Sequence, residues 1–398
     1  MASSLVLDNE KYRQYLFTKH HVVPGTQSGS FEQVIDSVVG VHSARLPTPY
    51  VAFQARLATM VPSDYRLATN LSNRLIKLRC MRKTLHTVTQ NLAPIVHIAT
   101  LELRTSELQS KLKRFGFSIA AASEFLEDII EVALESPQHY LGFLKYLVDC
   151  VRKRKPNISE RNSISVARLL LKWLWENGRI CYINQAKHWS REIRLFGNIR
   201  TLYPNLMLNS LEREDAVREL VSKYVNAFGP VSEKDISWWS GIRITEIREL
   251  LNFLKPSLVT VNLKDVSNQL IMTKNDFQRY CQFSGGANSD LWCAFLAYED
   301  PTLKGYFNTR SRYVDSSNYN ELFNQIGEVR PSILINGRTV GVWAWNKKTK
   351  RVSVKMFRSL TTREQAIVLE RKCKLEEFLD EGSQISLNLP GLFTDLDG

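Results

Sequence analysis

Between residues 211 and 265 the apolar positions fall into a readable order. Val217, Leu220, Val221, Tyr224 and Val225 recur at helical spacing and predict an amphipathic helix over Leu211–Phe228. Gly229-Pro230 ends it. Ser232, with Asp235 three residues on, reads as a capping box with Asp in the Glu position and opens a short helix ending near Gly241. Ile244, Ile247, Leu250, Leu251 and Leu254 mark a third helix, stopped by Pro256, and the β-rich Leu258–Leu263 follows. Three short helices and then a hairpin is the winged-helix order, a relative of helix-turn-helix.

The same order is expected twice more upstream. Phe125–Ala133, Tyr140–Cys150 and Val166–Glu176 read as helices, Gly178 as a break, and Arg179–Ile183 and Ser190–Phe196 as the strands of a wing. Nearer the N-terminus Glu32–Val41, Tyr50–Leu57 and Asp64–Asn73 read as helices, with strands at Leu75–Cys80 and Thr84–Thr87. The repeat lies in supersecondary pattern, not in residue identity. The last third turns β-rich: Pro331–Ile335, Thr339–Trp345 and Arg351–Phe357 are strands, and Asn336-Gly337 is a type I′ hairpin signal. A helix at Thr362–Leu379 follows, and the tail from Glu381 is expected to be loose. The expected fold is α+β. A winged-helix module at 1–120 is followed by others at 121–205 and 206–275, then a barrel-like β-domain at 276–398.

Charge then narrows the partner. The 398 residues carry a formal net charge of +13, which suits a polyanion such as nucleic acid. Arg74, Lys77, Arg79, Arg82 and Lys83 form one acid-free run, and Lys347, Lys348, Lys350, Arg351, Lys355 and Arg358 another. Both are read as candidate phosphate contacts, against the alternative of solvated hairpin faces. Arg152–Lys155 is read as a linker. No run approaches the roughly 20 apolar residues of a membrane span, and no secretory signal opens the chain. The six cysteines are scattered, which points to reduced thiols in a cytoplasm and to no structural zinc. No P-loop, dinucleotide-binding, zinc-protease, zinc-deaminase or hydrolase-elbow motif is present, so no metal or cofactor is expected. A reaction needing only a positioned water and a stabilised cation stays open.

Several blocks, in order, resemble the AlkZ/YcaQ-type winged-helix DNA glycosylases. Gly40-Val41-His42-Ser43-Ala44, then Pro49-Tyr50 and Ala55-Arg56-Leu57, is similar to that family's G-L-Q-A-Q…Y…W-A-R-L. Met81-Arg82-Lys83-Thr84-Leu85-His86 resembles M-R-G-T-L-H. Phe228-Gly229-Pro230 with Trp238-Trp239-Ser240-Gly241 matches F-G-P-x(7)-W-W-[ST]-G. Tyr298-Glu299-Asp300-Pro301 with Gly305-Tyr306, and Ile335-Asn336-Gly337-Arg338 with Gly341-Val342-Trp343, are similar to two later blocks. The resemblance implies a concave DNA cradle of tandem winged helices. The departure is chemical: the family's catalytic pair, Gln-apolar-Gln or Gln-apolar-Asp, is replaced by His42 and Ala44, and a family glycine by Lys83.

The candidate catalytic residues are therefore His42, whose neutral imidazole could take a hydrogen bond or a proton from water, and Ser43. The alternative for His42 is a packed histidine at a helix end. Arg45, Arg74, Lys77, Arg79, Arg82, Lys83, His86, Arg338, Lys347 and Lys348 are the candidate DNA contacts, with His86 equally readable as a strand histidine. Trp238 and Trp239 read as core rather than as base-stacking residues. The expected partner is double-stranded DNA carrying a modified base, bound by a monomer. The reading is a monofunctional glycosylase that excises a bulky base, with glucosylated hydroxymethylcytosine of phage DNA preferred. N7-alkylpurines or interstrand crosslinks are one alternative, and a non-catalytic regulator is the other.

Overall fold

A computed structural model describes residues 5–70, 72–264, 266–285 and 290–381. Among these the molecule is α+β, with four small sheets set among helices. Three sheets have three strands each. The first orders Val41–His42, Leu85–Thr89 and Leu75–Arg79; the second, Gln138–His139, Arg194–Asn198 and Ile180–Asn184. The third orders Leu5–Leu7, Leu258–Leu263 and Val266–Thr273, and Leu5–Leu7 joins in parallel, with Leu5 opposite Val261.

The best-patterned region forms as its residues dictate. Helix Arg213–Phe228 starts two residues later than the periodicity suggests. Ser232 accepts from the Asp235 amide, and Asp235 accepts from the Ser232 amide, which completes the capping box. Gly241 closes helix Glu233–Ser240 at φ 81°, a left-handed position that glycine takes without penalty. Helix Ile244–Leu254 and strand Leu258–Leu263 have the expected bounds.

Two helices carry no clear signal in the sequence. Asn9–Lys19 buries six consecutive residues, Tyr12 to Phe17, including Arg13 and Gln14. Ala93–Arg114 is 22 residues long, about 33 Å at helical rise. Its first half, through Ile95, Val96 and Ala99, belongs to the main core, and its second half, through Leu108 and Leu112, to a separate core. That second core is otherwise built from Leu85 and from helices and strands of residues 117–196.

Several expectations need correction. The C-terminal sheet is open, not barrel-like: its order is Cys293–Leu296, Ser332–Ile335, Arg338–Asn346, Arg351–Met356, and its outer strands do not pair. Arg152–Arg154 is no linker but the last turn of helix Tyr140–Arg154, where cations suit the helix dipole. The helix expected over Glu32–Val41 is Phe31–Val38; Val39 and Gly40 turn left-handed at φ 52° and 100°, and Val41–His42 becomes a strand. The tail beyond Glu381 lies outside the described residues. No helix of the described residues is long and apolar enough to cross a membrane.

Candidate active site

The turn at Val39-Gly40 sets His42 inside rather than on a helix end. Val41 and His42 pair with Thr87 and His86. His42 is 4% exposed, and its ring meets the His86 ring edge-on at 5.6 Å. Its Nδ1 is buried and has no hydrogen-bond partner among the described residues. Burial, then the charges of Lys304, His86, Arg82 and Arg45, lower its pKa well below the ordinary histidine value. The imidazole is therefore neutral at physiological pH. Ser43 is committed differently: its amide donates to the Leu85 carbonyl at 2.8 Å, and its Oγ lies 3.0 Å from the Val41 carbonyl oxygen and 2.7 Å from Thr87 Oγ1. Thr87 Oγ1 also lies 2.6 Å from the Tyr65 hydroxyl. A hydroxyl so occupied is poorly placed to hold a water as well.

Groups from the last third of the chain complete the surroundings. Lys304 is buried and ion-paired with the buried Glu299, whose other oxygen accepts the Val329 amide at 2.8 Å. Glu299 adopts φ 54°, an uncommon conformation for glutamate, held by this pairing. Glu328 accepts hydrogen bonds from the Tyr298 hydroxyl and from Asn324 Nδ2. Burial raises the Glu328 carboxyl, but those bonds and the charges of Arg45 and Lys304 outweigh it and hold it below the ordinary glutamate value. Arg45 is exposed, 5.1 Å from the Tyr298 ring centroid and 3.8 Å from Glu328. Thr48 ties this corner down by donating to the Tyr298 carbonyl at 2.9 Å. Below it, Arg56 and Asp300 form a buried two-pronged ion pair at 2.9 and 2.7 Å. Lys304, Glu299 and Glu328 carry no chemical signal in the sequence; only Glu299 lies in a stretch that resembles the glycosylase family, next to Tyr298 and Asp300.

A cavity of about 630 Å³ opens beside Arg45 and Tyr298. Trp343, Trp345, Val51 and Val354 line it, with Lys347 also on its wall. Trp343 is fixed by a hydrogen bond from Nε1 to the Leu296 carbonyl at 2.9 Å.

The remaining sequence-selected residues do not gather into one strip. Around the site, Arg82 lies 3.8 Å over the Trp238 indole, and Arg82 and Lys83 both hold left-handed backbone at φ 52° and 61°. Lys83 is half-exposed, 3.9 Å from Glu107, and His86 is a buried strand histidine near Cys80. The run Arg74–Lys83 looked acid-free along the chain but is not so in space. Arg74 pairs with Glu32, and Arg79 with Glu176. Lys77 is buried between the Tyr65 and Tyr182 rings, and burial lowers its pKa to about 8. In the second run Lys350, Arg351, Lys355 and Arg358 meet Asp380, Glu376, Glu321 and Glu364. Lys347 and Lys348 are exposed. Arg338 pairs with Asp315 beside the hairpin that packs on Phe17 and Arg13. Trp239 is core, whereas Trp238 is half-buried between Arg82 and Phe307. Among the described residues no cluster of three or more His, Cys, Asp or Glu could hold a metal ion.

Comparison with known proteins agrees with this architecture. Residues 35–378 match the family described as DNA glycosylase AlkZ-like. The fold is similar to that of the Streptomyces sahachiroi DNA glycosylase AlkZ, with a TM-score of 0.74 and 17% identity over 96% of this chain and 98% of that one. No curated protein sequence gives a significant match.

Proposed function

The chain belongs to the AlkZ-like DNA glycosylase family and is a DNA glycosylase, and from that premise we propose that it excises a bulky modified base with His42 at the reaction centre. The observation that carries this is the unpartnered, buried Nδ1 of a neutral histidine at the family's motif position. A buried polar atom without a partner costs about 1–3 kcal/mol and calls for an explanation. A hydrogen bond from the attacking water supplies one. In the step, the C1′–N bond breaks and its electron pair leaves with the base. The water oxygen bonds to C1′, and its proton passes to the imidazole and then to solvent. Ala44 leaves room where the family carries a second polar side chain.

The cavity beside Arg45 bears on the substrate. Indole and aliphatic walls suit a planar or apolar adduct, such as a bulky alkylated or crosslinked purine. A glucosylated cytosine would bring hydroxyls that the indole and valine walls leave unsatisfied, although Arg45, Thr48, Arg330 and Lys347 in the same lining can bond some of them. It remains the second reading, because His42 and Ala44 both depart from the glutamine pair associated with alkylated purines. We read the three helical units, each followed by a hairpin, as winged helices forming a DNA cradle that a monomer suffices to build. The deciding experiment incubates the protein with duplexes bearing a bulky N7-alkylguanine, glucosylated hydroxymethylcytosine or no modification, and then cleaves abasic sites. Release from the alkylated duplex alone is expected. Release from the glucosylated duplex alone reverses the assignment.

A further inference from the structure

Hydrolysis through a cationic sugar needs negative charge near C1′, yet the charges that act on His42 are basic ones, from Lys304, His86, Arg82 and Arg45. Two carboxylates among the described residues stand in this cluster. Glu299 is spent: it is buried, one oxygen holds Lys304 and the other the Val329 amide. Glu328 is not. Its side chain is 26% exposed, and both hydrogen bonds and the Arg45 contact fall on Oε2, leaving Oε1 uncommitted. Asn324 holds the segment rigid, accepting the Ile326 and Glu328 amides at 3.1 and 2.9 Å while donating to Glu328 at 2.8 Å. Arg45, three residues after His42 along the chain, lies 3.8 Å from Glu328, and Thr48 donates to the Tyr298 carbonyl, so the segment after His42 is set against the Tyr298–Glu328 corner.

We propose that Glu328 is a second catalytic residue whose free carboxylate oxygen faces C1′ of the target nucleotide and stabilises the developing positive charge while His42 receives the proton of water. It would thus supply, from the last third of the chain, the polar group that Ala44 no longer provides. The proposal rests on the reading of His42 as the reaction centre. A fixed carboxylate aimed at forming charge acts without reorganising at the moment of reaction.

The test uses the full chain and two duplexes with abasic-site analogues, one a pyrrolidine that is cationic at neutral pH, the other a neutral tetrahydrofuran. Wild type is expected to bind the cationic duplex at least about tenfold tighter, as preorganised charge stabilisation requires. Glu328→Gln keeps an oxygen that can accept from Tyr298 and Asn324, so its fold should persist. It should bind the neutral duplex like wild type but lose the preference, and Glu328→Asp should keep part of it. On a substrate that wild type cleaves, Glu328→Gln should lower single-turnover excision by about a hundredfold or more. No preference in wild type, or a preference kept by Glu328→Gln, overturns the proposal, as does excision by that variant at the wild-type rate. A preference that depends on Glu328 without release of any modified base leaves Glu328 in place and removes the substrate reading instead.

Discussion

His20, His42, His86 and His97 are all buried, and burial is the largest cause lowering the pKa of each. His20 is held on both sides of its ring: one nitrogen faces the Ala227 carbonyl oxygen at 2.9 Å and the other the Thr302 hydroxyl at 2.9 Å. Each of these groups binds a proton more readily in the unfolded chain. Stability is therefore full above the unfolded value near 6.5 and drains as pH falls towards the folded values, about 3 for His86 and His97. The loss amounts to about 1.4 kcal/mol per pH unit for each histidine. Thermal unfolding should thus be flat between pH 7 and 8 and drop steeply below pH 6; a Tm unchanged down to pH 5 would contradict this. His42→Ala should reduce single-turnover excision by about a hundredfold or more while DNA affinity stays within a few-fold. A mutant retaining most of its rate would leave His42 a packing residue. At position 83, where the resembling family carries glycine, Lys83 holds φ 61°. Lys83→Gly relieves that strain, so its stability should match or exceed wild type by up to about 1 kcal/mol in denaturant titration.

Among the elements, Asp235 does more than its cap role suggests. Besides closing the box with Ser232, it accepts the Phe307 and Asn308 amides at 2.8 and 2.7 Å and the Thr309 hydroxyl at 2.9 Å. It thereby joins helix Glu233–Ser240 to the loop after Gly305. Asp235→Ala should cost well beyond the roughly 1 kcal/mol of an ordinary cap, about 3 kcal/mol or more, because buried amides lose their acceptor. Equilibrium unfolding in urea measures this, and a loss near 1 kcal/mol would confine Asp235 to capping. The contrast explains what the sequence could disclose. The box, Gly241 and the periodic Leu and Ile positions are local signals, and they placed helices and strand from 213 to 263 closely. Asn9–Lys19 escaped because its burial runs around the helix, leaving no apolar stripe to detect. His42 was legible through its motif. Lys304, Glu299 and Glu328 reach it only through the fold, and nothing local distinguishes them from surface charges. The acid partners of Arg74 and Arg79 lie 42 and 97 residues away, which is why a basic run along the chain is not a basic strip on the surface.

At the scale of the whole molecule, the candidate site lies across a seam between residues 42–86 and residues 298–345. Arg56 and Asp300 bind that seam, with Thr302 sharing both Arg56 and His20. Asp300→Asn leaves a buried guanidinium without its counter-charge and should cost about 3–5 kcal/mol. Differential scanning calorimetry should show the loss in the main transition, which includes residues of both ends; a shift confined to a minor transition would mean that the ends unfold separately. DNA binding should weaken with salt by about 0.9 log units per log unit for each phosphate contact. Because so many of the chain's cations are already paired, Lys347→Ala and Lys348→Ala, at two exposed lysines, should each lower that slope, while Arg74→Ala, whose guanidinium is held by Glu32, should not.

The parallel pairing of Leu5–Leu7 with Leu258–Leu263 has a consequence for how the protein is made. Leu5–Leu7 leaves the ribosome well before its strand partner, which is synthesised about 250 residues later. At some 5–20 residues per second, Tyr12, Leu16 and Phe17 stay uncovered for roughly 13 to 50 seconds. The second core needs no such wait, since its residues, 85 to 196, emerge together. Biogenesis is therefore expected to run from the middle outwards, with the beginning of the chain among the last parts to find its place. A stalled or truncated product would display Tyr12, Leu16 and Phe17 to chaperones and proteases, and the finished chain, in which all three are buried, would not.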